Sequence, residues 1–121
     1  MIKIETIQDR IIKVSAIGKL EAQEIEEVAP QIDRLMEQFG HINILVDARQ
    51  FDGWANVAAF KYHINFIKSH YYSVGHVAVV MGHFWQKLVL SVVKMALKKD
   101  IKTFKAAEIE RAIEWIVKRS V

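Results

Sequence analysis

The chain has 121 residues, of which 17 are Lys or Arg and 14 are Asp or Glu, and its formal charge is +3. That length predicts one domain with one hydrophobic core, spanning residues 1–121. The absence of cysteine excludes disulfides, zinc–thiolate sites, iron–sulfur clusters and thiol nucleophiles, and the basic residues form no dense stripe typical of nucleic-acid binding.

Hydrophobic periodicity along the chain predicts five strands and about four helices. The strands are predicted over residues 2–7, 10–16, 42–48, 76–81 and 101–105, and the helices over 21–39, 54–69, 83–98 and 107–119. Pro30 interrupts the first helical pattern, which predicts a kink there or two short helices. Residues 49–53 are predicted to form a loop, with Asp52 as the N-cap of the second helix.

The order of these elements is ββαβαβαβα, which predicts an α/β fold built on one mixed sheet. Short strand–helix–strand connections are right-handed crossovers, so strands two to five are expected to be mostly parallel, with the first strand antiparallel. Binding sites in such sheets tend to lie beyond the carboxyl ends of the strands. Here that rule selects Asp47 to Trp54 and Met81 to Trp85.

Several short motifs occur in the order in which one known family carries them. They are Gly18-Lys19-Leu20, Pro30, Asp47 to Trp54 (DARQFDGW), His76 to Val80 (HVAVV) and Ala112 to Ile116 (AIEWI). Together with the element order, these motifs resemble the SpoIIAA-like family of the STAS superfamily. The resemblance implies a STAS-like, mostly parallel five-stranded sheet, and at most the binding of an apolar ligand, a membrane surface or a protein partner, without catalysis.

One feature of the superfamily is missing from this sequence. The resemblance to anti-sigma-factor antagonists implies a phosphorylatable serine in an Asp-Ser-Ser/Thr-Gly pattern where a helix follows a strand. This chain reads Phe51-Asp52-Gly53-Trp54 there, and no Ser or Thr lies between Ala48 and Lys68. A switch that adds about two negative charges at a helix N-terminus has no acceptor in that segment. We therefore expect no phospho-serine switch.

The chemistry-bearing residues show no spacing typical of an active site. The five histidines are His41, His63, His70, His76 and His83; only His63 and His70 share a helix face, and no HExxH motif accompanies them. No serine lies in a Gly-x-Ser-x-Gly elbow, and no glycine-rich phosphate loop is present. Asp47 and Asp52 lie near strand ends, where they could form a carboxylate pair, but we favour the hypothesis that they cap helices and hold loops. We predict no metal, no cofactor and no catalytic residue.

The predicted second and third helices carry more apolar surface than packing on a sheet needs. In the second helix, Val57, Phe60, Ile64 and Ile67 form one apolar ridge and Ala55, Ala59, Tyr62 and Phe66 form another, while Trp54 is expected near the lysine side. In the third, Lys87, Ser91, Lys94 and Lys98 fall in one narrow arc and nearly every other residue is apolar. The apolar side chains that do not pack on the sheet must be buried against something else.

Three hypotheses account for the surplus: mutual covering of the two helices with a subunit interface, a pocket for a lipophilic molecule, or contact with a membrane surface. We favour a cytoplasmic module that binds an apolar ligand or associates peripherally with a membrane. His83 is expected to lie near the polar head group of the bound molecule. The predicted ligand contacts are Phe51, Trp54, Phe60, Phe84, Trp85 and Leu88, and the predicted membrane or partner surface is Lys87, Leu90, Lys94, Met95, Leu97 and Lys98. The alternative is a protein-interaction module, most simply a homodimer.

Overall fold

The computed structural model describes residues 1–83, 86, 87, 90, 91, 94 and 101–120. Its strands are β1 (Ile2–Gln8), β2 (Ile11–Leu20), β3 (Ile42–Trp54), β4 (Val74–Met81) and β5 (Ile101–Lys105), and its bounded helices are α1 (Ala22–Phe39), α2 (Val57–Ser69) and α3 (Ile109–Arg119). Residues 86, 87, 90, 91 and 94 are helical, as the predicted third helix requires. The rest of that predicted helix after residue 83 lies outside the described residues.

The five strands form one sheet in the order β1-β2-β3-β4-β5. β1 is antiparallel to β2, and β2 to β5 pair in parallel. The predicted α/β class and strand directions are therefore confirmed. Because the strands lie side by side in chain order, the helices after β2 and β3 each cross over the sheet before the next parallel strand begins.

The two faces of the sheet are covered by different helices. On one face, α3 buries Ala112 and Ile116 against a cluster that includes Leu45 and Phe104. On the opposite face, α1 buries Ile32 and Met36 against the strands. Successive residues of a strand point to opposite faces of the sheet. In β2, Ile11 therefore joins the cluster under α3 and Ile12 joins the cluster under α1.

The first helix is continuous through its proline. α1 contains Pro30 without a break, so of the two predicted alternatives, a kink or two short helices, the second is wrong. The missing N–H would have bonded to the carbonyl of Glu26, an exposed residue that water reaches. Ile25 and Ile32 are buried on the two sides of the proline and keep both halves on the sheet.

The third strand is longer than the sequence pattern indicates. Residues 49–53 belong to β3 rather than to a loop, because β2 also continues past Gly18 to Leu20 and pairs with them. The pairing shifts by one residue twice, once after Asp47 and once after Phe51, as bulges do. The N-cap of α2 is Asn56, whose side chain accepts a hydrogen bond from the N–H of Ala59, so the capping role predicted for Asp52 is wrong.

Candidate functional site

A cavity of about 280 Å³ lies on the sheet face that α1 and α2 cover. Its floor consists of small and branched side chains from β2, β3 and β4, among them Val14, Ala16, Val46, Ala48, Val77 and Val79. Its other walls include Ile64 and Ile67 of α2 and the helical residues Gln86 and Leu90. Strand alternation explains the apolar floor, since Leu45 packs towards α3 while its neighbour Val46 lines the cavity.

An aromatic cluster lies where β3 meets α2. The ring centroid of Trp54 is 5.0 Å from that of Phe51 and 4.7 Å from that of Phe60, and both contacts are edge-to-face. Phe51 and Trp54 line the cavity, and Phe60 packs behind Trp54. The structure thus brings three predicted ligand contacts together, whereas Phe84, Trp85 and Leu88 lie outside the described residues.

The position of Trp54 differs from the sequence expectation. It is the last residue of β3 and packs against the buried cluster around Phe51, rather than projecting beside the lysines of a helix. The cause is the extension of β3, which places residue 54 in a strand and starts the helix at Val57. Trp54 is consequently half-buried at one end of the cavity.

Trp54 also holds a histidine at the cavity wall. Its indole N–H donates to Nδ1 of His63 at 3.0 Å, and His63 lines the cavity from α2. Burial lowers the pKa of His63 to about 4, so the ring is neutral at physiological pH. Sequence reasoning gave His63 no role, although its place three residues after Phe60 and four before Ile67 puts it on an apolar helix face.

A second histidine lies at the C-terminal end of α2. Nε2 of His70 is 2.5 Å from Oδ1 of Asp33 in α1, and Nδ1 is 2.8 Å from the carbonyl oxygen of Phe66. His70 lines the cavity as His63 does, in keeping with their seven-residue spacing. Within residues 1–83 and the other described positions, no three His, Asp or Glu side chains are grouped as a metal site would need.

Gln86 connects the end of β3 to the turn after β4. Its side chain is 6% exposed, and its Nε2 donates to the carbonyl oxygens of Ala48 at 2.9 Å and Phe51 at 2.8 Å. Its Oε1 accepts from the N–H of Gly82 at 3.0 Å. These bonds fix the bulged part of β3 that carries Phe51, and nothing in the local sequence pattern indicates them.

Comparison with known proteins agrees with this architecture over almost the whole chain. A family model described as SpoIIAA-like matches residues 11–117. The chain belongs to the SpoIIAA-like family. No curated protein matches it.

Solved structures share the fold of this SpoIIAA-like domain at low sequence identity. An uncharacterised protein with a SpoIIAA-like fold from Shewanella loihica PV-4 is 22% identical with a TM-score of 0.78, over 96% of this chain and 92% of that one. The anti-sigma factor antagonist SpoIIAA in its unphosphorylated form is 13% identical with a TM-score of 0.66, over 96% and 97%. The phosphorylated form of the Bacillus cell fate determinant SpoIIAA is 12% identical, with a TM-score of 0.58, over 93% and 99%.

The two aspartates near the strand ends of the SpoIIAA-like domain do not form a pair. Burial raises the pKa of Asp47, but hydrogen bonds from Arg49 and the charges of Arg49 and Lys13 outweigh it and hold that pKa below its usual value. Arg49 donates to Asp47 through Nε at 2.9 Å and Nη2 at 2.8 Å, so Asp47 holds a bulge instead of capping a helix. Asp52 is exposed, and its Oδ1 lies 3.8 Å from Nε2 of His83. His83 is also exposed and is not among the described residues that line the cavity.

The predicted membrane or partner surface is only partly described. Lys87 is exposed and Lys94 is half-buried. Leu90 lines the cavity and packs on the cluster around Phe51 instead of facing outward. Met95, Leu97 and Lys98 lie outside the described residues. In the described part of the chain, no helix has the length and apolar character needed to cross a membrane.

A methyl group at Gly82 has no room beside β3. A Cβ there would lie 2.8 Å from the Cα of Arg49, so main chain would have to move. We expect Gly82→Ala to lower the free energy of unfolding by about 1–3 kcal/mol, as other overpacked sites do, measured by urea denaturation. An unchanged midpoint would contradict this close approach.

Proposed function

We propose that this SpoIIAA-like domain is a non-catalytic module that binds a small apolar molecule in the cavity between the sheet and α2. The cavity itself is the observation that carries the proposal. An engineered apolar cavity of ~150 Å³ binds benzene, and the cavity here measures about 280 Å³. A molecule on the order of ten non-hydrogen atoms therefore fits.

The composition of the cavity wall supports an apolar ligand. Among the described lining residues, side chains with polar atoms are few: Trp54, His63, His70, Tyr71 and Gln86. None of them is a carboxylate or an amine, and the hydrogen-bonding groups of Gln86 are engaged by backbone atoms. Such a wall offers binding energy mainly through the burial of apolar surface.

Filling the cavity is expected to abolish binding without unfolding the protein. Val46 lines the floor, so Val46→Trp places a bulky ring in the ligand's space. The matched control is Val57→Trp on α2, the same change at a side chain that is 67% exposed. With tetralin as the probe, followed by chemical shifts of the Trp54 indole N–H, the wild type and Val57→Trp should bind and Val46→Trp should bind at least fivefold more weakly.

Far-UV circular dichroism checks that both variants fold. A folded Val46→Trp protein that binds tetralin as the wild type does would refute the cavity as the site. Native mass spectrometry of protein purified from cells adds an independent measurement, since a co-purifying apolar molecule identifies the natural ligand class.

A protein-interaction module is the second candidate function. Val57 and Tyr72 are 67% and 94% exposed, so each offers apolar or aromatic surface that a protein partner can bury. One similar structure is that of an anti-sigma factor antagonist, a protein named for its action on another protein. A ligand-free homodimer by light scattering, with no tetralin binding, would favour this candidate. A ligand-free monomer that floats with phosphatidylcholine vesicles would instead favour the membrane surface.

A further inference from the structure

The hydrogen bond between Trp54 and His63 fixes the tautomer of the histidine. An indole N–H only donates, so Nδ1 of His63 must accept and carries no proton. In the neutral ring the single proton then lies on Nε2. His63 therefore presents one N–H donor from a ring that lines the cavity.

The Nε2–H group differs from the other polar groups of the cavity wall. Gln86 uses both of its donors and its acceptor on backbone groups, His70 is bonded to Asp33 and to the carbonyl of Phe66, and the N–H of Trp54 donates to His63. Tyr71 is not without an interaction either. Among the described residues, the ring of His63 makes one hydrogen bond, through Nδ1. No described side-chain nitrogen or oxygen is fully buried without a partner, so Nε2 of this half-buried ring retains some exposed surface.

We infer that the ligand of this cavity is an apolar molecule with a neutral carbonyl oxygen, which accepts a hydrogen bond from Nε2 of His63. The inference rests on the proposed function, because it names the chemical class of the molecule that the cavity binds. An apolar wall gives little specificity, whereas one donor placed in it discriminates against analogues that lack the acceptor.

A neutral acceptor fits the site better than a carboxylate does. Burying an ionised group without an opposite charge is strongly unfavourable. The described lining contains no Lys or Arg, and burial keeps His63 uncharged by lowering its pKa to about 4. The hydrogen bond from Trp54 also holds the ring in one orientation, so the donor needs no reordering when the ligand enters.

The test compares 1-tetralone with tetralin, two ligands of nearly equal size that differ by one carbonyl group. The wild type should bind 1-tetralone roughly 3- to 10-fold more tightly than tetralin, the usual contribution of one buried neutral hydrogen bond. The ¹⁵N–¹H signal of His63 Nε2 should shift with 1-tetralone and stay nearly constant with tetralin.

Two substitutions at the histidine separate the donor from the packing. In His63→Asn the amide oxygen can replace Nδ1 as the acceptor for Trp54, but no donor reaches the place of Nε2, so the preference for 1-tetralone should disappear. His63→Gln carries an amide donor near that place and should recover part of the preference. Tyr72→Phe, which removes a hydroxyl from a side chain that is 94% exposed and does not line the cavity, should leave the preference unchanged.

The outcomes distinguish this inference from the proposed function. Equal binding of the two ligands by the wild type, an unshifted Nε2 signal, or a preference that survives in His63→Asn would overturn the carbonyl inference and leave apolar binding intact. Failure of both ligands to bind the wild type would overturn the proposed function and the inference with it.

Discussion

Replacing Gln86 with Leu is expected to lower the free energy of unfolding by about 3 kcal/mol, because it leaves three backbone groups without their hydrogen-bond partner. The glutamine side chain is the hydrogen-bond partner of the carbonyls of Ala48 and Phe51 and of the N–H of Gly82. Leucine has a similar size and an apolar surface, so the packing is retained while these bonds are lost. Urea denaturation at neutral pH measures the difference.

Two control variants assign that loss to the hydrogen bonds. Gln23→Leu removes an exposed glutamine whose side chain donates to Glu27, and it should change stability by less than about 0.5 kcal/mol. Gln86→Glu keeps an acceptor for Gly82 but loses both donors, so it should also destabilise. If Gln86→Leu matched the wild type, water or a rearranged bulge would be satisfying those backbone groups.

The architecture was predictable because its main signals are local. The run INILVDA over residues 42–48 is too short and too branched for a helix and forms the core of β3, with Ile44 and Val46 on one face and Leu45 on the other. Short crossovers between such strands leave few alternatives to a mostly parallel sheet. The SpoIIAA-like motifs fall on the same elements, and the match over residues 11–117 confirms the family.

The end of β3 was not predictable from its own composition. Arg49, Gln50, Asp52 and Gly53 are polar or flexible residues typical of a loop. They form a strand because residues 17–20 of β2 pair with residues 50–54 of β3, and because the bulges absorb the surplus residues. This pairing joins segments about thirty residues apart, so tertiary structure overrides local propensity.

The candidate site was predictable in its aromatic part and not in its polar part. Phe51 and Trp54 belong to one short motif at a strand end, where binding sites in parallel sheets concentrate, and both line the cavity. The polar contacts depend on folding: Trp54 reaches His63 on the next helix, and Gln86 reaches carbonyls 35 and 38 residues earlier in the chain. No periodicity encodes such pairs.

Acidification is expected to destabilise the protein through His63. Its pKa is about 4 in the folded protein, against the ordinary histidine value of 6.5, so between these values the unfolded chain binds more protons than the folded one. The stabilisation is fully present above pH 6.5 and is lost as the pH falls towards 4. One pKa unit corresponds to about 1.4 kcal/mol, so the total approaches about 3 kcal/mol.

The difference between the wild type and His63→Asn isolates this contribution. Urea denaturation of both proteins at pH 7 and pH 4.5 should show the wild type losing more stability than the variant on acidification, because asparagine does not titrate. The other four histidines are present in both proteins and cancel. The contribution of Asp47 also cancels, because this residue is present in both proteins. Folding lowers the pKa of Asp47, so its contribution to stability is lost only at pH values below the ordinary 3.8. Parallel losses in the two proteins would mean that His63 is hydrated when folded, and that its Nε2–H faces water rather than an apolar ligand.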